Sequence, residues 1–170
     1  MNIKKIIKGV LPYLIIIVLI LLLKQFVITT IRVNGTSMDN TLKDGDIMLL
    51  DRIGYKFNDI KRFDIVVVKR PDDDVIKRVI GLPGDHIKYV DSKLYINDKI
   101  VDESFSHKLT EDFNINSIAL EVIPQGEYFI LGDNRTDSYD SRYFGSVKKQ
   151  DILGKAVLTI FPFNRLGVKK

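Results

Sequence analysis

The chain contains no cysteine and only two histidines, His86 and His107, among its 170 residues. The first absence excludes a disulfide framework, thiolate metal sites and a cysteine nucleophile. The second leaves too few imidazoles for a zinc site, and a Ser-His-Asp triad would have to recruit one of them; both read as surface or loop residues. Alanine is equally scarce, Ala119 and Ala156 being the whole supply. There is no low-complexity stretch and no internal repeat, and beyond the first thirty or so residues no long segment carries the 3.6-residue apolar period of an amphipathic helix. Acidic residues are missing from residues 1–33, which hold Lys4, Lys5, Lys8, Lys24 and Arg32. The formal charge of +4 therefore belongs to that segment, and the remainder is close to neutral. Nucleic-acid binding needs a basic patch on the folded domain, so no nucleic-acid partner is expected.

What the amino-terminal segment does contain is an uncharged run from Gly9 to Leu23, extended by Ile6-Ile7 before it and Phe26-Val27-Ile28 after it. With Lys8 and Lys24 snorkelling, about 20 residues can span the hydrocarbon, the length a transmembrane helix needs. Pro12 lies near the start, where a helix tolerates it best. A cleavable secretory signal is the rival reading. Against it, the stretch is long for such a signal, and its exit, Phe26 to Ile31, offers no small-x-small site. Three lysines precede the span and few charges directly follow it, which places the short tail in the cytoplasm. The expectation is a single-pass cell-membrane protein. Residues 1–28 form the tail and anchor, in membrane lipid, and residues 29–170 form one extracytoplasmic domain.

That domain reads as short strands separated by turns: Val27–Val33, Asp46–Arg52, Asp64–Lys69, Val75–Ile80, His86–Val90, Lys93–Ile96, Leu120–Ile123, Tyr128–Leu131 and Lys155–Ile160. They are rich in Val, Ile and Tyr and bounded by Gly, Asp, Asn and Pro. Asp91-Ser92 reads as a tight hairpin, and Asn97-Asp98 as a turn into Lys99–Val101. Short helices are expected near Met38 and over Val147–Ile152, and the polar segment Asp102–Ser117 as a flexible excursion. The fold class is mainly β: an antiparallel β-sheet catalytic domain after a single N-terminal transmembrane helix.

Three clusters carry chemistry. The first, Gly35-Thr36-Ser37-Met38-Asp39-Asn40-Thr41-Leu42, puts a serine after a strand and a glycine-containing bend. A serine hydroxyl needs a base within hydrogen-bonding reach to become a nucleophile, and its own N–H is a natural donor to a developing oxyanion. The second, Lys77-Arg78-Val79-Ile80-Gly81-Leu82-Pro83-Gly84-Asp85, begins with two cations inside an apolar strand. Alternation sends them to opposite faces, and burial of a lysine lowers its pKa toward the range of a general base. The third runs from Gly132 through Asp133-Asn134-Arg135-Thr136-Asp137-Ser138-Tyr139-Asp140-Ser141-Arg142 to Gly145, dense in hydrogen-bonding groups that can lock a loop beside a reacting centre. Each cluster alone also fits a plainer reading: a turn serine, a lysine on a wet edge, an exposed polar loop.

Together, in this order and after an apolar segment, the three resemble the type I signal peptidase family. Its boxes are Ser-Met-x-Pro-Thr-Leu, Lys-Arg-Val-x-Gly-x-Pro-Gly-Asp and Gly-Asp-Asn-Arg-x-x-Ser-x-Asp-Ser-Arg, and the likeness extends to Phe161-Pro162-Phe163-Asn164-Arg165-Leu166-Gly167. The resemblance implies a serine endopeptidase that removes signal peptides from secretory preproteins after small-x-small sites, using a Ser-Lys dyad and no cofactor or metal. It puts the nucleophile on Ser37, the general base on Lys77, the serine that orients the lysine on Ser138, and a structural ion pair on Asp140 and Arg142. Oxyanion donors fall on Ser37 and, where some members carry a serine hydroxyl, on Gly35, which has only its backbone. Met38 matches a residue near the substrate-binding surface. The chain departs from the family at Asn40, which stands where the family has proline. Two other readings are a catalytically silent, membrane-tethered homologue that binds secretory precursors, and a self-cleaving Ser-Lys repressor. The repressor type carries a DNA-binding module, and this sequence has none visible.

Overall fold

A computed structural model of the chain describes residues 9–18 and 28–168. Residues 9–18 are helical (α1). No helix among the described residues is long and apolar enough to cross a membrane; the rest of the expected anchor, 1–8 and 19–27, lies outside them.

The domain begins with β1 (Ile28–Arg32) and β2 (Ile47–Asp51), a four-residue helix α2 (Gly54–Phe57), then β3 (Ile65–Val68) and β4 (Val75–Gly81). A small meander follows: β5 (Ile87–Val90), β6 (Lys93–Ile96), β7 (Lys99–Val101) and, after a long excursion, β8 (Phe113–Asn114). The chain then returns as β9 (Glu127–Leu131), a short helix α3 (Ser141–Phe144), β10 (Val147–Lys148), the ten-residue β11 (Ile152–Phe161) and β12 (Gly167–Val168). The larger sheet runs β1-β2-β11-β3-β4-β9-β10, with β12 on β11, and the smaller β7-β6-β5-β8. Every described pairing is antiparallel.

Strand alternation sorts the apolar residues into three buried clusters. Ile65 and Val67 of β3 face one, with Val33, Met38, Leu42 and Ile76. Val66 and Val68 face another, with Val79, Tyr128 and Ile130. Phe129 and Leu131 of β9 join Ile80, Ile87 and Tyr89 where the two sheets meet. Burial on both faces explains why β3 reads as an unbroken apolar run rather than an alternating one. Asp91 and Ser92 both take positive φ (50° and 60°), as do Asn97 and Asp98 (51° and 65°), the backbone that two-residue hairpins of matching twist require.

Four expectations differ from what is seen. Leu120–Ile123 is not a strand: Ala119 turns left-handed (φ 59°), and Ile123 exchanges hydrogen bonds with the 82–85 turn, through Gly84 and Asp85, rather than with a neighbouring strand. Its apolar character reflects the burial of Ile123 and the partial burial of Leu120 against the same cluster. No helix forms at Met38, where Asn40, at φ 96°, stops the turn begun by Leu42 N–H donating to Met38 C=O. Val147–Ile152 is β10 followed by a single 3-10 turn, Lys149–Asp151. The 102–117 segment, irregular as expected, is tied down. The Glu103 carboxylate meets Arg135 at 2.5 Å, Thr110 is buried, and β8 joins the smaller sheet.

Candidate active site

β4 carries Lys77 and Arg78 in succession, and the sheet sends them to opposite sides. Lys77 is 3% exposed, and its Nζ lies 2.6 Å from Ser37 Oγ. Burial lowers the Lys77 pKa from 10.5 to about 8; Asp140 opposes that shift and Arg142 adds to it. Arg78 is fully buried. Its Nε and Nη2 donate to the two oxygens of Asp133, at 2.9 and 2.7 Å, its Nη1 donates to Phe63 C=O, and its guanidinium stacks on Phe105.

The serine turn is built by its neighbours on both sides. Val33 N–H donates to Asp46 C=O, and Gly45 N–H returns to Val33 C=O, closing the loop after β1. Gly35 adopts φ 84°, a conformation that disfavours side chains with a Cβ, and its N–H donates to Asp44 Oδ1 at 2.8 Å. That amide, one of the two expected oxyanion donors, is thus engaged elsewhere. The N–H of Ser37, the other, makes no hydrogen bond among the described residues. Met38 lies away from the surface: it is 1% exposed and packs in the first apolar cluster, where a long flexible side chain beneath the turn supports Ser37 from below.

The third sequence cluster supplies the brace. Asn134 N–H donates to Ser37 C=O at 3.0 Å and its Nδ2 donates to Thr36 C=O, while Thr36 Oγ1 donates to Asp137 at 2.7 Å. Thr41 donates to Asp133 at 2.5 Å, joining the serine turn to the buried Arg78 pair. Gly132 is where the two loops touch: a Cβ there would lie 2.3 Å from Ser138 Oγ and 2.4 Å from the Ser37 carbonyl oxygen, so only glycine permits the approach. Asp140 is fully buried, accepts from Gly132 N–H, and meets Arg142 through both oxygens at 2.8 and 2.9 Å. Arg142 continues to Arg135 C=O at 2.7 Å.

Ser138 differs from its expected role. Its hydroxyl is buried against Gly132 and makes no hydrogen bond, to Lys77 or to any other described residue. Asn40, at φ 96°, occupies a backbone conformation that proline, fixed near −65°, cannot take. Neither histidine meets the serine: His107 sits 3.6 Å from Glu103, and His86 is held through its backbone by Asn97. The sequence reading did not find the partners that hold the site from a distance, Asp133 with Arg78, Asn134 with the serine turn, and Glu103 with Arg135. Asp133 and Asn134 stand in the third cluster, and their density there was the available signal. Glu103, alone in an irregular segment, gave none.

A family model described as "Signal peptidase, peptidase S26" matches residues 5–161. Signal peptidase I V of Bacillus subtilis (strain 168) is 42% identical over 149 residues, covering 81% of this chain and 89% of that protein. Signal peptidase I of Bacillus caldolyticus is 38% identical over 167 residues, 92% of each chain. The crystal structure of a signal peptidase I from Enterococcus faecalis V583 superposes with a TM-score of 0.54 at 36% identity, covering 59% of this chain and 98% of that one.

Proposed function

This chain belongs to the peptidase S26 signal peptidase family, and from that premise we propose that it cleaves secretory preproteins with Ser37 as nucleophile and Lys77 as general base. The enzyme is a serine endopeptidase. The observation that carries the assignment of residues is the 2.6 Å approach of a buried lysine amine to a serine hydroxyl.

The chemistry follows from the surroundings of the amine. With a pKa of about 8, roughly a tenth of Lys77 is neutral at pH 7, against well under a thousandth for a free lysine. The neutral amine takes the proton as Ser37 Oγ bonds to the scissile carbonyl carbon, and the ammonium so formed is stabilised at longer range by Asp140. Charge on the carbonyl oxygen is met by the free N–H of Ser37. The intermediate collapses, the C–N bond breaks, and Lys77 returns the proton to the leaving amine. Lys77 then takes a proton from a water that attacks the ester on Ser37 and gives it to Ser37 Oγ, releasing the new carboxyl end. Asp140, Arg142 and Asn134 act as positioning residues, and Ser138 can orient the lysine only after its hydroxyl rotates.

The substrate class is a preprotein cut after a small-x-small site. Residues 1–28 act as cytoplasmic tail and single-pass anchor, leaving 29–170 outside the membrane. Tethering enzyme and precursor to one bilayer raises their effective concentration. The test is cleavage of a labelled precursor with an Ala-x-Ala site, comparing wild type with Ser37→Ala in lipid. Cleavage by wild type alone supports the reading; failure of both, with folding verified, favours a silent precursor-binding homologue.

A further inference from the structure

We propose that an open cleft beside the end of β2 binds the headgroup of an anionic phospholipid and so sets the domain's orientation on the bilayer. The proposal rests on the anchor reading above.

Asp51, the last residue of β2, pairs with Ile28, the first residue of β1, so Arg52 follows directly beside the point where the apolar segment hands over to the domain. There the chain turns sharply: Asp51 Oδ1 accepts the N–H groups of Ile53 and Gly54, and α2 follows. Next to it opens a cleft of about 960 Å³, whose lining includes Arg52, Tyr55, Glu127, Lys148, Lys149 and Ile152 but neither Ser37 nor Lys77. Three cations thus face one carboxylate.

Glu127 accepts from Ser146 Oγ, and the Tyr55 hydroxyl donates to Asp64. Lys149 has only a 3.9 Å contact with Asp59, itself 98% exposed in its side chain. Arg52 and Lys148 make no side-chain hydrogen bond or ion pair among the described residues. The cleft therefore has donors to spare, with three cations against the one lining carboxylate. Two residues beyond Tyr55, Phe57 stands 82% exposed. On the anchor reading, an exposed aromatic ring five residues from Arg52, with cations in the neighbouring cleft, suits a ligand with a phosphodiester above and acyl chains below. A free phosphate satisfies the cations and leaves Phe57 without a function.

The chain has no tryptophan, so Phe57→Trp gives a single indole reporter in the full chain. In vesicles of phosphatidylcholine with acyl-brominated phosphatidylglycerol, its emission should be quenched strongly, and only weakly where the brominated lipid is phosphatidylcholine. Adding Arg52→Gln and Lys148→Gln should weaken the phosphatidylglycerol effect by roughly five-fold per cation removed, with cleavage of a soluble peptide in detergent unchanged. Equal quenching by both lipids, or quenching indifferent to the two glutamines, overturns the proposal. So does its abolition by millimolar inorganic phosphate at constant ionic strength, which marks a free-anion site. Loss of soluble-peptide cleavage by wild type instead counts against the peptidase reading and leaves the quenching result to be judged alone.

Discussion

On one face of β4, Lys77 sits 3% exposed against a serine hydroxyl, with Asp140 acting on it only at a distance. On the other, Arg78, no more exposed, is gripped by both oxygens of Asp133, by the Phe63 carbonyl and by the Phe105 ring. The difference suits the two side chains. A guanidinium cannot shed its proton, so burying it demands a full set of acceptors. An ammonium can, and when burial is not compensated by a contacting carboxylate the equilibrium moves toward the neutral amine. One face is built to hold a charge permanently, the other to let it come and go.

The comparison breaks most sharply at Lys77→Arg. Length and charge are kept, yet the new side chain cannot become neutral, so kcat should fall about 10²–10⁴-fold, as for loss of a general base. Single-turnover cleavage with circular dichroism as a folding check reads this out. On the opposite face, Arg78→Met leaves Asp133 buried without its partner and should cost about 3–5 kcal/mol in urea unfolding. The double change with Asp133→Leu should recover most of that loss.

Lys77→Met sharpens the contrast from the stability side. The unfolded lysine titrates near 10.5 and the folded one at about 8, so between those values the unfolded state holds more protons and stability rises with pH. Below about pH 8 the folded state carries the whole cost of a buried charge, up to about 3 kcal/mol. Methionine removes that cost, so the inactive variant should be more stable at pH 7 and lose the rise between pH 8 and 10.5. Ser138→Ala should have the smallest effect. Its hydroxyl has no partner, so stability should change by less than about 1 kcal/mol. An unmoved pH–rate midpoint would mean that Ser138 stays out of the lysine's hydrogen bonding, and a shifted one that it rotates into it.

Much of this contrast was legible in the sequence. Adjacent cations in an apolar strand must diverge by alternation, and Val-, Ile- and Tyr-rich runs bounded by turn residues located β3, β5, β6 and β9. What was not legible is long-range. That the Ser138 hydroxyl rests beside Gly132 without a hydrogen-bond partner is set by how two loops pack. The choice of Asp133 for Arg78 depends on a contact 55 positions apart in the chain. Ile123 illustrates the opposite error: four apolar-rich residues looked like a strand, but an irregular segment that buries Ile123 and part of Leu120 generates the same pattern. The resemblance put Met38 near the substrate-binding surface, whereas a side chain directly after the nucleophile can equally point inward to hold the turn, as it does here.

The central claim is that Lys77 is neutral when it acts, and the most direct test is the pH dependence of kcat/KM for wild type on a soluble peptide with an Ala-x-Ala site. The account predicts a rate that climbs about tenfold per pH unit and levels off around pH 8. A profile already flat through pH 7 to 9, or one turning near the histidine value of about 6.5, would contradict it.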